Sequence, residues 1–276
     1  MTTPARLDAG RIFRLAPFDE VVAELRVTCA DGPAAMPRQT LRRADVPGRF
    51  LLLQDGDAVA TLDGAALTAL RTPAVSALAT DALARDDVTR LAVFGTGVQA
   101  REHVRAMRWV RPSLERIEVV GRDPAGTDRF VAMLRGEGHP VVSASSAGAS
   151  GADLICTCTS SSVPVLSDDA VKPGAHINAI GSHGPECREL GETLMGRARV
   201  VVDDRPAALA ASGNLVLAIA AGTMTPADVA GELAAVARGE VRRETADEVT
   251  VFVSVGLAVA DLAVATLAAR NAGLID

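Results

Sequence analysis

Gly95-Thr96-Gly97-Val98-Gln99-Ala100 is the stretch of this sequence whose residue types and spacing most directly imply chemistry. It lies between an apolar run, Arg90 to Phe94, and a segment from Gln99 to Val110 in which Ala100, Val104, Met107 and Val110 recur at helical spacing. Strand, glycine turn and helix, in that order, are the setting in which a dinucleotide is held. The first glycine makes the tight turn, the second lets the backbone approach a pyrophosphate, and the small Ala100 lets helix and strand pack closely. The helix start then offers free N–H groups and a partial positive charge to the phosphates. An unliganded α/β domain can carry the same short pattern, so it is the strand-turn-helix context that favours a cofactor. Gly95, Thr96, Gly97, Val98 and Gln99 are accordingly the candidate cofactor-binding residues, and the cofactor is NADP(H) or NAD(H).

The end of the next strand chooses between the two. Enzymes that use NAD place an acid there, roughly 20 residues beyond the turn, on the ribose hydroxyls. Here the strand ends Val119-Val120-Gly121-Arg122-Asp123. Gly121 stands where the acid is expected, and the guanidinium of Arg122 can pair with the extra phosphate of NADP and stack on adenine. Asp123 argues for NAD if the strand runs two residues further. NADP(H) is favoured.

Arg71-Thr72-Pro73 is a second candidate. Asp63 caps a helix containing Leu67 and Leu70, and Thr72 with Pro73 reads as the N-cap and first residue of another helix running to about Arg85. A guanidinium and a helix N-terminus would then sit together, a good place for an anion. Thr72 is counted with the cofactor-binding residues. Further along, Thr157, Thr159 and Ser160 follow a buried strand at the carboxyl edge of a sheet, where ligands of open α/β folds collect, although hydroxyls also merely cap turns.

The elements that must position these residues are legible as alternation. Phe18 to Thr28 is an amphipathic helix; Arg49 to Leu53 and Ala58 to Leu62 form a hairpin around Gln54-Asp55-Gly56-Asp57. From Thr89 strands and helices alternate: strands at Arg90 to Phe94, Ile117 to Val120, Val141-Val142, Leu154 to Thr157, His176 to Ile180 and Val200 to Val202, helices at Gln99 to Val110 and Thr127 to Arg135. That is the pattern of a parallel sheet covered by helices on both faces. The fold class is α/β, a Rossmann-type parallel-sheet domain. Ala227 to Gly273 reads as mostly helical, interrupted by a strand-like Val249 to Val253.

Composition bounds the partners. The chain has 276 residues, 49% hydrophobic and 22% charged, with a net charge of −6. That length holds one large domain or two modest ones. An acidic chain has no global attraction for phosphate polymers or anionic membranes, so neither nucleic acid nor membrane is an expected partner. No apolar run reaches the roughly 18 residues needed to cross a bilayer, and Met1 to Phe18 does not read as a signal peptide. Cys29, Cys156, Cys158 and Cys187 lack metal-ligand spacing, and Cys156 and Cys158 share one face of a strand, where they cannot easily bridge. Reduced thiols, no metal and a cytoplasmic location are expected.

Several stretches together resemble the ornithine cyclodeaminase/mu-crystallin family: Leu67 to Thr72, Gly95 to Ala100, Gly151 to Ser160, Lys172 to Gly181 and Ser254 to Ala258. The similarity runs from about Leu62 to the C-terminus. The resemblance implies a smaller α+β substrate and dimerisation domain made from both chain ends, here residues 1–72 and 249–276, around a Rossmann domain at 73–248. It implies a homodimer acting on a small amino or imino acid. The arginine matching Arg71 binds the substrate carboxylate in the family, Arg38 resembles a second carboxylate-binding arginine, and Thr157, Thr159 and Ser160 look like the loop beside the nicotinamide.

Two departures bear on the reaction. The family motif G-x-D-x-P-G-K carries an acid used in cyclodeamination, whereas this chain reads Gly181-Ser182-His183-Gly184-Pro185-Glu186-Cys187. His183 replaces the acid; a histidine exchanges protons near neutral pH, which suits protonating an amine or orienting an imine, but it is not the same anionic base. His183 and Arg71 are the candidate catalytic residues, with Arg38 and Arg71 binding substrate. The second departure is a missing lysine-bearing strand before the Leu67 helix; the single lysine of the chain is Lys172. Imine reduction or amino-acid dehydrogenation is therefore expected, ahead of ornithine cyclodeamination proper. A catalytically impaired NADP(H)-binding sensor is the reading from another class.

Overall fold

The computed structural model of the protein describes residues 4–276. In chain order the elements are β1 (Ala5–Leu7), α1 (Ala9–Leu15), α2 (Phe18–Asp31), β2 (Gln39–Arg43), β3 (Arg49–Gln54), β4 (Asp57–Asp63), α3 (Gly64–Leu83), β5 (Arg90–Phe94), α4 (Val98–Val110), β6 (Arg116–Val120), α5 (Pro124–Gly136) and β7 (Val141–Ser143). They continue with β8 (Leu154–Thr157), β9 (His176–Ala179), α6 (Glu192–Arg197), β10 (Arg199–Val202), α7 (Arg205–Ala211), α8 (Gly213–Ala220), β11 (Val229–Glu232), α9 (Leu233–Ala237), β12 (Thr250–Val253) and α10 (Ala258–Asn271). Two compact units result: Met1–Leu78 with Leu257–Asp276, and Ala79–Gly256. Among the described residues no helix is long and apolar enough to cross a membrane.

The smaller unit is α+β and is built from both chain ends. Its sheet has the order β1-β4-β3-β2, with β1 parallel to β4 and the others antiparallel. The expected hairpin is β3–β4, closed by Asp55 and Gly56, both at positive φ, as a two-residue hairpin turn requires. Helices α1, α2 and α10 bury Ile12, Val21, Leu25, Val264 and Leu267 around this sheet.

The larger unit is an eight-stranded sheet in the order β11-β10-β12-β9-β8-β5-β6-β7, with every pairing parallel. Its central strands β8, β9 and β12 are buried along their whole length, because helices cover both faces of a parallel sheet and leave no solvated side. Strand β5 has β6 on one side and β8 on the other, so the strand order reverses at its carboxyl end. In open α/β sheets that reversal is where ligands bind.

Four sequence expectations change. The break expected at Thr72-Pro73 does not occur: α3 runs unbroken from Gly64 to Leu83 with Pro73 inside it. A proline inside a helix costs about 3 kcal/mol, and burial of Leu67, Leu70, Ala74, Val75, Ala77 and Leu78 along this helix outweighs it. The chain passes between units within this helix, at Leu78, so residue 72 is not a boundary. The strand at Val249 to Val253 does not return to the smaller unit; β12 inserts between β9 and β10, and only Leu257–Asp276 returns. Finally, residues 227–248 are not mostly helical. They hold the edge strand β11 and the five-residue α9, since Val229-Ala230-Gly231-Glu232 is too short and too weakly apolar to declare itself as a strand.

Two histidines lie wholly inside the larger unit. His103 Nδ1 is 2.7 Å from the Gln99 carbonyl, and His176 Nδ1 is 2.8 Å from Thr250 Oγ1. Burial, which penalises the cation, pushes their pKa values down to about 4 and about 3 respectively. Below the ordinary value of 6.5 the unfolded chain takes up protons that the folded chain refuses, so stability present above that pH is lost as pH falls. The carboxyls of Asp203 and Asp261, raised by burial, act in the opposite sense and gain on protonation. The expected outcome is a thermal midpoint that drops as pH is lowered from 6.5 towards 4, with a smaller drop in His176→Gln. Equal slopes in the two proteins, followed by circular dichroism, would contradict the assignment.

Candidate functional site

The turn between β5 and α4 is held by a close backbone passage. Gly95 has φ +116°, and a Cβ built there would lie 2.5 Å from the carbonyl oxygen of Cys158, so no other residue fits without moving the chain. Its N–H donates to the Val120 carbonyl at 2.9 Å, which ties the turn to the end of β6. Gly97 is the N-cap of α4, no side chain caps the helix, and the space beside its α-carbon is open. Ala100 is fully buried beneath it. An uncapped 13-residue helix pointing its first amides into open space fits a phosphate group.

These residues line a cavity of ≈ 710 Å³ at the carboxyl edge of the sheet, within the usual size of a small-ligand site. The expected Gly95, Thr96, Gly97, Val98, Gln99, Arg122, Thr159 and Ser160 all contribute to its wall. Cys158, Ser161 and the Val163-Pro164-Val165 stretch do so as well, and the sequence reading passed over them. A hollow of ≈ 390 Å³ lies near Glu115, Arg116 and His139 at the strand starts, the edge where ligands of such sheets do not collect.

At the end of β6 stand Gly121, Arg122 and Asp123. A Cβ at Gly121 would collide with Thr127 Oγ1 and crowd Thr96, so an aspartate or glutamate has no room there. Asp123 is committed elsewhere: its Oδ2 accepts from the Gly126 N–H at 2.9 Å as the N-cap of α5. Arg122 is exposed on the cavity wall, and among the described residues no partner engages its guanidinium.

Thr157 does not line the cavity. It is fully buried, and its hydroxyl donates to Glu189 Oε2 at 2.7 Å. It belongs to the support of the wall because the strand turns its side chain under the sheet edge and away from the opening. Thr159 does both: it lines the cavity while its N–H and hydroxyl donate to Glu189 Oε1 at 2.6 and 2.8 Å. Nothing local marks Glu189, because an acid in the loop stretch Glu186-Cys187-Arg188-Glu189 gives no sign of burial. Asp203 is a second such case. Its Oδ2 accepts from Ser254 Oγ at 2.8 Å and from the Val255 and Gly256 N–H groups at 2.9 and 2.8 Å, holding the loop that follows β12.

The arginine expectations divide. In the smaller unit Arg71 Nε donates to Asp261 Oδ1 at 3.1 Å, with side chains only 12% and 17% exposed. Burial raises the Asp261 carboxyl even though Arg71 pulls it down, so desolvation wins in this pair. Arg71 therefore has a fixed orientation, held by an acid in the first turn of α10, but no helix begins at Thr72 beside it. Thr72 sits inside α3 in the smaller unit, with its hydroxyl buried and unpartnered, and not in the cavity wall. The anion site expected from that helix start is absent because the helix has no start there. Arg38 forms an exposed fork with Asp55 at the hairpin tip and is not joined to Arg71. His183 lies in the exposed loop after β9; its N–H donates to the Gly181 carbonyl at 3.0 Å, and the ring is not part of the cavity wall. Lys172, the sole lysine, pairs with buried Asp153 at 2.6 Å and so has a structural partner.

A profile described as the ornithine cyclodeaminase/mu-crystallin family matches residues 43–273. The chain is 35% identical over 248 residues to a Delta(1)-pyrroline-2-carboxylate reductase of Paracoccus denitrificans, covering 88% of this chain and 77% of that protein. It is 37% identical over 213 residues to the ketimine reductase mu-crystallin of Mus musculus, covering 77% of this chain but 65% of that protein. Among solved structures, the Thermococcus litoralis Delta(1)-pyrroline-2-carboxylate reductase in complex with NADH and L-proline superposes with a TM-score of 0.85 at 25% identity, covering 97% of each chain.

The glycine turn generates a direct test. Gly95→Ala forces a methyl group against the Cys158 carbonyl, and the expected result is loss of dinucleotide binding together with a lowered thermal midpoint. Unchanged binding in calorimetric titration would show that this backbone passage does not shape the site.

Proposed function

The chain belongs to the ornithine cyclodeaminase/mu-crystallin family, and from that premise we propose that it is a nicotinamide-dependent oxidoreductase. Its reaction is reduction of a cyclic imino acid, or in reverse dehydrogenation of the matching small amino acid. One observation carries the reading: the uncapped start of α4 opens through Gly97 onto the cavity at the reversal of strand order. The relatives named as reductases support the same chemistry.

When bound, the dinucleotide supplies hydride transfer at the substrate Cα. The protein's residues bind and orient. The first amides of α4 would hold the pyrophosphate, and Thr159, Ser160 and Ser161, which line the same cavity, would seat the nicotinamide. Arg122, unengaged on that wall, favours the extra phosphate of NADP(H) over the bare ribose of NAD(H). Arg71, oriented by Asp261, holds the substrate carboxylate. His183 delivers a proton to the substrate nitrogen, a task that an imidazole performs near neutral pH. A histidine in place of the family's acid favours imine reduction over ornithine cyclodeamination. The reading includes a homodimer in the cytoplasm.

A second reading, a dinucleotide-binding sensor without turnover, draws on one specific observation. The sole lysine is engaged with Asp153, so no lysine is free to bind substrate. Oxidation of NADPH by cyclic imino acids, followed by nicotinamide absorbance, separates the two; tight binding without turnover across an imino- and oxo-acid panel supports the sensor. Two variants sharpen the test. Arg122→Ala is expected to weaken NADPH about tenfold with little change for NADH. Arg71→Met is expected to raise KM for the imino acid about tenfold or more while dinucleotide affinity stays constant. Parallel losses for both dinucleotides, or an unchanged KM, contradict these roles.

A further inference from the structure

We propose that Glu189 is a positioning residue that joins the cavity-wall loop after β8 to the loop after β9 that carries His183, so that the two hold one geometry. The inference rests on the proposed cofactor site and adds to it a residue outside the cavity wall.

The argument starts from the bonds of one carboxylate. Glu189 is fully buried. Its Oε1 accepts from the Thr159 N–H and hydroxyl, at 2.6 and 2.8 Å. Its Oε2 accepts from the Thr157 hydroxyl and the Gly181 N–H, both at 2.7 Å. All four partners donate, so both oxygens serve only as acceptors. Among the described residues no cation pairs with it. A buried carboxylate without a cation is costly, and an apolar side chain would fill the same space more cheaply. What the carboxylate supplies instead is a set of four directed, charge-assisted bonds.

Those bonds fall on two different loops. Strands β8 and β9 are neighbours in the sheet, and their chains leave the carboxyl edge side by side. Thr157 and Thr159 bracket the exit of the first strand, and Gly181 marks the exit of the second, two residues before His183. The backbone of Glu189 extends the junction. Its carbonyl accepts from the Val165 N–H at 2.8 Å, and Val165 lies on the cavity wall. Its N–H donates to Asn214 Oδ1 at 2.8 Å, and Asn214 Nδ2 donates to Ser182 Oγ at 3.1 Å. Ser182, next to His183, is thereby fixed from the same centre. One residue thus sets Thr159 and Val165 in the wall and, directly and through Asn214, the Gly181 and Ser182 that lead into His183.

The test uses the full-length protein and a matched control. Asp153 is a buried carboxylate at the opposite edge of the sheet, accepting from the Thr89 and Arg90 N–H groups and from Lys172. Glu189→Gln places an amide NH₂ against a donor, and it is expected to raise the NADPH Kd about tenfold. It is also expected to speed amide hydrogen exchange in 158–161 and 181–184 together. Asp153→Asn is expected to lower the thermal midpoint while leaving the NADPH Kd and exchange in those two loops unchanged. Should Glu189→Gln not yield folded protein, Thr157→Val removes one of the four donors without touching the wall, and the same two effects are expected in weaker form. Wild-type protein that binds no dinucleotide overturns the proposed function and this inference with it. Wild-type protein that binds, with the Glu189→Gln or Thr157→Val protein binding within about twofold and showing no joint change in exchange, overturns the inference alone.

Discussion

Where β5 ends, the main chain has to pass so close to the carbonyl of Cys158 that there is no room for a side chain. The contact at Gly95 decides how near the turn after β5 lies to the loop after β8, and the remaining features of the site follow from that distance. Because the turn is tight, α4 begins immediately and points its first amides outward. Because β8 lies directly against β5, the loop that follows it becomes the facing wall. A wider turn would move the helix start away from that wall, and the cavity would open into a surface groove.

The strand ends of a parallel sheet create a recurring problem. Each loop leaving the sheet carries N–H groups that have run out of ladder partners, and many of them are shielded from water. This protein answers it three times with a buried acid. Asp153 takes the backbone at Thr89 and Arg90, Glu189 takes the exits of β8 and β9, and Asp203 takes the exit of β12. The three differ in charge balance. Asp153 has Lys172 and Arg85 nearby, and its carboxyl stays below the usual range. Asp203 relies on dipoles, and burial raises it. The two acids at the carboxyl edge thus hold loops in place without bringing a positive charge to the rim where ligands bind.

In the smaller unit the same economy of partners appears around α3. Carrying the helix through Pro73 gives up a hydrogen bond, yet it keeps the apolar face continuous and presents Arg71 from the middle of a rigid element, held by Asp261. A side chain mounted that way has little freedom left to lose. An arginine at a loose helix junction would lose much more.

The sequence alone determined the strand-turn-helix unit, the parallel α/β class, the hairpin and the stretch from Gly95 to Gln99, which lines the cavity. Each depends on local periodicity or on a glycine whose need is written into a few neighbouring positions. It also disclosed the family, because several short motifs occur in one order. Only the tertiary structure decided the rest. Whether Pro73 ends a helix depends on what packs around residues 67–78, and whether Val249 to Val253 joins one sheet or another depends on which strand edge is open to receive it. Thr157 lies beneath the cavity wall although its place at a strand end suggests that it lines it, because its hydroxyl is taken by Glu189, and facing a cavity or lying beneath it is thus settled by residues more than 30 positions apart. Pattern along a chain reports what a segment can form; burial and partner are properties of the assembled core, and no single segment contains them.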